Sequence, residues 1–435
     1  MVIETKEQYS VLLDNIKDKE VLISFIRDDF RTHPCESNII AASLSFEDQS
    51  HDIIFTHSET FETLDPKLLN VAKLFWTDDS KQFYHLFGMK NVNDVSVSSW
   101  CENKEVHSIE PDQIFWLTYK NNKSLRALNY VVPLSKIIEF TRDKLMQIDI
   151  MKENLEYTEY SKRYNIALMN LAEIEKNGLS IIPNSFGTVF KNGMGYSNYN
   201  VLTSTGRPSN TFSGVNLGAL NKTDGTRKNI VSRFEKGMLI EFDYDAYHLR
   251  LLGDIIDYSF PLNESVHQYF ADNVYNCSYE ESKTKSFQIL YGNTPPSEGN
   301  GDKFFKGIAD LSSVLWDHFN ANNYLESHIY KKPFIMEDNL GVNRNKLLNY
   351  YIQSYETERN LDTIGRVNDL LSDRGTKMIL YTYDSFLFDF DMKDGINVLK
   401  SIKDVLQDGK FPVKVKAGIN YHNMKDISEK INGYK

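Results

Sequence analysis

Three cysteines in 435 residues, Cys35, Cys101 and Cys277, are too few and too widely spaced for a disulfide framework. Along the chain they show no metal-ligand spacing, and a reduced, cytoplasmic compartment is the expectation. No apolar run reaches the roughly 20 residues needed to span a bilayer, and MVIETKEQYS does not read as a secretory leader, so no membrane association is expected. Internal repeats and low-complexity tracts are missing, which excludes solenoids and arrays. An excess of positive charge is missing too: 49 Lys and Arg against 60 Asp and Glu leave a formal charge of −11. That balance argues against an evenly basic nucleic-acid coat, although a local positive groove can sit on an acidic body. What is present is globular composition, 41% apolar and 13% aromatic, in a length that suits two or three domains.

The most informative stretch is SKTKSFQILYGN. Lys283, Phe287 and Tyr291 recur at intervals of four, so one helix shows a cation and two rings on one face, with Gly292 at its end. An ammonium suits a triphosphate, and rings suit a base and its sugar. The same stripe also fits an ordinary amphipathic helix, and two carboxylates elsewhere raise its meaning. MLIEFDYDAYHLRLLGDIID opens as a buried strand and turns helical, which puts Asp243 at a strand-to-helix turn. MILYTYDSFLFDF reads as a hairpin with Tyr383-Asp384-Ser385 at its tip. Singly, each is a plausible solvated turn aspartate. As a pair they suit Mg²⁺, which takes carboxylate oxygens, waters and substrate phosphates, and two such ions serve in-line phosphoryl displacement.

At this point the C-terminal half resembles the family A, DNA polymerase I-like polymerases. TSTGRPSN, with Arg207, resembles the family's T-x-T-G-R-x-S element, and NLGALN resembles the following N-L-Q-N-I-P. DYDAYHLR, from Asp243, is similar to DYSQIELR, and ESVHQYFADNVYN, with His267, to D-I-H-x-x-T-A. KTKSFQILYG is similar to K-x-x-x-F-x-x-x-Y-G, and NYYIQSYE, with Asn349 and Gln353, to N-x-P-x-Q-G-x-A. TYDSFLF and FPVKVKAGINYHNM resemble V-H-D-E-L-V-F and the closing V-P-L-x-V-x-x-G-x-N-W. The eight elements keep the family's order across residues 201 to 424.

The resemblance implies an α+β right-hand polymerase palm and fingers over 191–435, with fingers at about 255–340. It implies a template-directed DNA polymerase that adds dNTPs to a primer 3′-hydroxyl with two Mg²⁺ ions, Mn²⁺ being a substitute. Asp243, Asp384 and the Tyr244 backbone carbonyl would hold the ions, and Lys283 would meet the triphosphate. Phe287, Tyr291 and His248 would surround the incoming nucleotide. Arg207, Asn349, Gln353 and Gly292 would contact the primer-template DNA. His248 stands where the family has a glutamate against the sugar 2′ position, Ser385 where it has a second acid, and Tyr279 where it has an arginine.

The N-terminal third has a different character. VLISFI, NIIAASLSF and HDIIFTH read as three strands, followed by a helix around Pro66 to Phe75. The resemblance implies a ribonuclease H-like 3′–5′ exonuclease-type domain over 1–130, but Phe25, Arg27 and Gln82 fall where its acids belong. No proofreading is therefore expected, although Asp28, Asp29, Asp78 and Asp79 are candidates for displaced ligands. A helical stretch from about Leu134 to Lys176, capped at Asn177-Gly178, reads as a connector or thumb remnant within 131–190. Gly178 and Gly206 are only 28 positions apart, too close for the family's long thumb at 1.5 Å per helical residue. A processivity partner would then supply the missing grip. By analogy, the compact form suggests a phage or mobile-element replicase. Two other readings remain open: a single-subunit RNA polymerase or primase-like enzyme, suggested by Tyr383-Asp384-Ser385, and an accessory DNA-binding subunit of a replisome.

Overall fold

The structure, a computed structural model, describes residues 1–60, 62–106, 132–187, 189–190, 192–291, 302–335 and 342–433. It divides once, into compact units Met1–Ala172 and Glu173–Lys435, where the sequence suggested boundaries at 130 and 190. Among the described residues no helix is long and apolar enough to cross a membrane.

The first unit is built on a six-stranded sheet. Its strands are β1 (Val2–Ile3), β2 (Glu20–Arg27), β3 (Ile39–Phe46), β4 (Gln49–Ile54), β5 (Leu74–Thr77) and β6 (Val92–Asp94), in the order β1-β4-β3-β2-β5-β6. β2, β3 and β4 form an antiparallel meander, and β5 and β6 add in parallel to β2. The three expected strands are β2 to β4. The expected helix at 66–75 is instead a 3₁₀ segment, Pro66–Val71, and Phe75 belongs to β5. Pro66 and the Asp65 cap start a turn there, but Leu74-Phe75-Trp76 is a buried apolar run that the sheet claims. Helix Leu134–Glu153 packs on β2 and β3, where Thr141 Oγ1 meets Ser43 Oγ at 2.8 Å.

The predicted continuous helix over 134–176 is broken. Glu102 accepts the amide hydrogens of Glu156 (3.0 Å) and Tyr157 (2.8 Å), and Tyr157 takes a left-handed φ of 52°. A second helix, Glu159–Asn177, then ends as expected on Gly178, whose φ is +56° and whose N–H reaches Ile174 O.

The second unit begins with short pairs: β7 (Leu179–Ser180) with β8 (Met194–Gly195), and β9 (Tyr199–Asn200) with β10 (Ser209–Asn210). Its main sheet is antiparallel, formed by β11 (Met238–Tyr244), β14 (Lys377–Tyr381), β15 (Ser385–Phe390), β16 (Val413–Gly418) and β17 (Met424–Asp426). The order β14-β15-β11-β16-β17 puts β11 in the centre. β12 (Tyr324–Glu326) and β13 (Pro333–Ile335) form a hairpin within a helical region. There Phe260, Phe270, Phe304 and Phe305 are buried together. The 27-residue helix Arg344–Leu370 joins both regions, packing on helices Tyr247–Ile255, Tyr279–Tyr291, Lys303–Asn322 and Ile396–Gln407.

Candidate active site

Strand register brings the two aspartates together. Asp243, near the end of β11, pairs with Ser385 on β15 and with Lys414 on β16. Asp384 immediately precedes β15, in a tip closed by Thr382 N–H to Ser385 O and Asp384 N–H to Thr382 O, both 2.9 Å. Tyr383 accommodates that turn with φ 67°, and the Tyr244 amide donates to Asp384 O at 2.9 Å. The hairpin tip is thereby fastened to the end of β11. Burial, then the negative charges of Asp243 and Glu356, push the Asp384 carboxyl up to about 6.

Residues 241 and 243 share one face of β11, and Lys416 lies directly across from Glu241. Its ammonium is 3.1 Å from both Glu241 Oε2 and, diagonally, Asp243 Oδ2. Burial lowers the Lys416 pKa, but the two carboxylates outweigh it and the net shift is upward. Among the described residues Asp243 Oδ1 has no protein partner, so the pair retains carboxylate oxygen of the kind a hard divalent cation takes. Tyr244 contributes no side-chain donor, since its hydroxyl bonds Leu406 O at 2.8 Å and its ring stacks on Tyr247. Only its backbone carbonyl fits the expected role.

Glu356 is the residue that the sequence reading missed. It is 1% exposed on helix Arg344–Leu370, with Arg207 Nε 3.3 Å from Oε2 and His248 Nε2 3.2 Å from Oε1. These are ion-pair separations without hydrogen-bond alignment. The Arg207 guanidinium also lies 3.7 Å over the Tyr383 ring. The available signal was helical spacing, because Gln353, Glu356 and Asn360 fall on one face of a long helix. Asn360 is fully buried and donates to Tyr383 O (2.7 Å) and Tyr381 Oη (3.2 Å) while accepting from Tyr247 Oη (2.7 Å). Next to it, Arg359 bonds the hydroxyls of Tyr244 and Tyr247, each at 2.9 Å.

A cavity of about 660 Å³ gathers these groups. It is lined by Asp243, Tyr244, Asp384, Lys283, Phe287, His248, Arg207 and Gln353 from the predicted set, and by Lys222, Lys414 and Tyr279 beside them. Asn349 is not among its lining residues; it sits one turn before Gln353. The side chain of Tyr291 and all of Gly292 lie outside the described residues. His267, buried against Tyr279 and Phe287, has its pKa lowered by burial. Arg250 serves structure: it bonds Asp245 O, Pro261 O and Glu264 O.

Comparison with solved structures then bears on this arrangement. The chain superposes on the POL domain of Pol1 from M. smegmatis, determined in complex with DNA primer-template and dNTP. The TM-score is 0.69, the match covers 97% of this chain and 99% of that one, and identity is 12%. This is a DNA polymerase domain fold. At that identity the likeness is one of fold, and no protein-family model and no curated protein matches the sequence.

Where the sequence reading placed exonuclease positions, the first unit has other uses for the residues. Phe25 packs in an aromatic core with Phe83 and Phe87. Arg27 is buried and holds the following loop through Asp29 O (2.6 Å), Thr32 O (2.7 Å) and Ser37 Oγ (2.9 Å). Asp79 caps helix Ser80–Phe87 and also binds the Gln82 amide, while Asp78 pairs with Lys144 at 2.9 Å. Asp28 binds Asn38, and Asp29 binds Arg31.

Proposed function

We propose that the chain is a template-directed DNA polymerase acting on primer-template DNA and dNTPs. One observation carries this reading: an end-to-end polymerase-domain fold whose cavity collects Asp243, Asp384, Lys283, Phe287, Arg207 and Gln353. Asp243, Asp384 and the Tyr244 carbonyl would hold two Mg²⁺ ions, with Mn²⁺ as substitute. When bound, such ions supply charge neutralisation at the attacking and departing oxygens. Lys283 meets the triphosphate from the helix side, and Phe287 covers the base. Arg207, held on Tyr383, and Gln353 face the pair from the other side and donate to minor-groove acceptors common to correct base pairs. His248 crowds the sugar.

The strand order of the first unit supports a ribonuclease H-like exonuclease-type domain, and the local roles of Phe25, Arg27, Asp78 and Asp79 support the loss of proofreading. The described residues between Asn177 and Thr203 form only short strands and turns, which supports a polymerase without a long thumb, dependent on a processivity partner. Such a compact enzyme suits a phage or mobile element. The deciding experiment is primer extension with dNTPs, with rNTPs, and without primer, for wild type and Asp243→Ala. Primer-dependent dNTP incorporation that Asp243→Ala abolishes is expected. Preference for rNTPs, primer-free synthesis, or an active Asp243→Ala variant would overturn the reading.

A further inference from the structure

A second constellation lies in the first unit and includes no residue assigned a role in polymerisation. His33 and Cys35 flank Pro34 in the 3₁₀ turn Pro34–Glu36 that leads from β2 to β3, and His85 is on helix Ser80–Phe87. Folding brings one ligand atom from each to within 4.8 Å of the others. Cys35 Sγ is 3.3 Å from His85 Nδ1, and the two imidazole rings are 5.3 Å apart between centroids. His33 is 2% exposed, while Cys35 and His85 are partly exposed. The sequence spacing of the cysteines gave no hint of this, because two of the three donors are histidines and one arrives from 50 positions away.

We propose that His33, Cys35 and His85 bind one borderline-soft divalent cation of the zinc class, with water as fourth ligand on the exposed side. Zn–S bonds of about 2.3 Å and Zn–N bonds of about 2.0–2.1 Å put sulfur and nitrogen roughly 3.5–3.6 Å apart at the tetrahedral angle. The observed 3.3 Å is shorter than that, so the two side chains separate by a few tenths of an ångström when the cation enters. A thiol–imidazole hydrogen bond has a similar length, so the convergence of a second imidazole is what marks a chelate. His33 Nδ1 accepts the Cys35 amide hydrogen at 3.3 Å, which fixes the tautomer in which Nδ1 carries a lone pair. Ligation through Nδ1 would displace that contact, which is long for a hydrogen bond. Nitrogen and thiolate donors select zinc over Mg²⁺, which prefers the carboxylates of the polymerase cavity. Bound there, the ion ties the loop organised by Arg27 to helix Ser80–Phe87, a structural cross-link within the first unit. The inference does not depend on the polymerase reading.

The test uses the whole chain, stripped of metal with its thiols reduced, and Co²⁺ as an optical stand-in for Zn²⁺. One equivalent should produce a thiolate-to-cobalt charge-transfer band and the visible absorption of a four-coordinate ion, both erased by one equivalent of Zn²⁺. Zn²⁺ should also raise the thermal midpoint. The polymerase cavity's predicted metal ligands are carboxylates and a backbone carbonyl, so it does not contribute the charge-transfer band. Cys35→Ser should remove the band and His85→Gln should weaken Co²⁺ binding by about tenfold or more, whereas Cys101→Ser and Cys277→Ser should leave both unchanged. No thiolate band in wild type, or a band that persists in Cys35→Ser, overturns the proposal. Should Cys35→Ser fail to fold, wild-type Co²⁺ affinity in His85→Gln overturns it equally.

Discussion

Asp384 carries its charge against its surroundings. Its folded-state pKa of about 6 lies above the ordinary 3.8, so its contribution to stability is complete below about pH 4 and is lost as pH rises through 6. In metal-free protein, Asp384→Asn should therefore raise unfolding free energy at pH 7 by on the order of 2–3 kcal/mol, taking about 1.4 kcal/mol per pH unit. At pH 4 the two proteins should be nearly alike, and denaturant melts at both pH values provide the check. The same variant should be inactive in primer extension, a trade of stability for chemistry. His248 gives a second prediction. Glu356 Oε1 lies 3.2 Å from its Nε2, and the imidazole lines the cavity. His248→Ala should raise rNTP incorporation relative to dNTP by about tenfold or more, the scale a packed gate supplies. An unchanged ratio would place sugar selection elsewhere. Asp243, Asp384 and Lys283, which the structure brings to one cavity, each stand out in the sequence within a local pattern. Glu356 and Lys416 do not, because their meaning comes from cross-strand register and helix packing.

At the scale of elements, the hairpin β14–β15 and its tie to β11 are what the site depends on. Asn360 alone joins the hairpin tip, Tyr381 and the helix after β11 with three hydrogen bonds. Asn360→Ala strands buried partners at each, so a loss of about 2–4 kcal/mol is expected. Primer extension should slow even at temperatures where the variant is fully folded. Chemical denaturation read by circular dichroism, with extension rates alongside, separates the two effects. Elements with strong local patterns were read correctly from sequence: β2 to β4, β11 with its following helix, the hairpin, and helix Tyr279–Tyr291. The errors came where a distant residue decides. Glu102 breaks the helix at Glu156-Tyr157, and sheet pairing takes Phe75 out of the expected helix.

For the molecule as a whole, the proposed polymerase without a long thumb would have few groups to hold a duplex, and the net charge of −11 adds no general attraction. We expect distributive synthesis, a few nucleotides per encounter in the presence of a DNA trap, from weak DNA binding whose salt dependence is shallow because few phosphates are contacted. A tethering partner should restore long products by raising effective concentration. Long products from a single encounter of the isolated chain would refute this. β11 sits at the centre of its sheet. Its two neighbours, β15 and β16, are both made later by the ribosome, and Lys416 arrives with the second of them. Until then Glu241 and Asp243 stand on an open strand edge without their cation. On the proposed function, the site around Asp243 and Asp384 therefore cannot be completed until β16 has left the ribosome, and a chain released before it is inert.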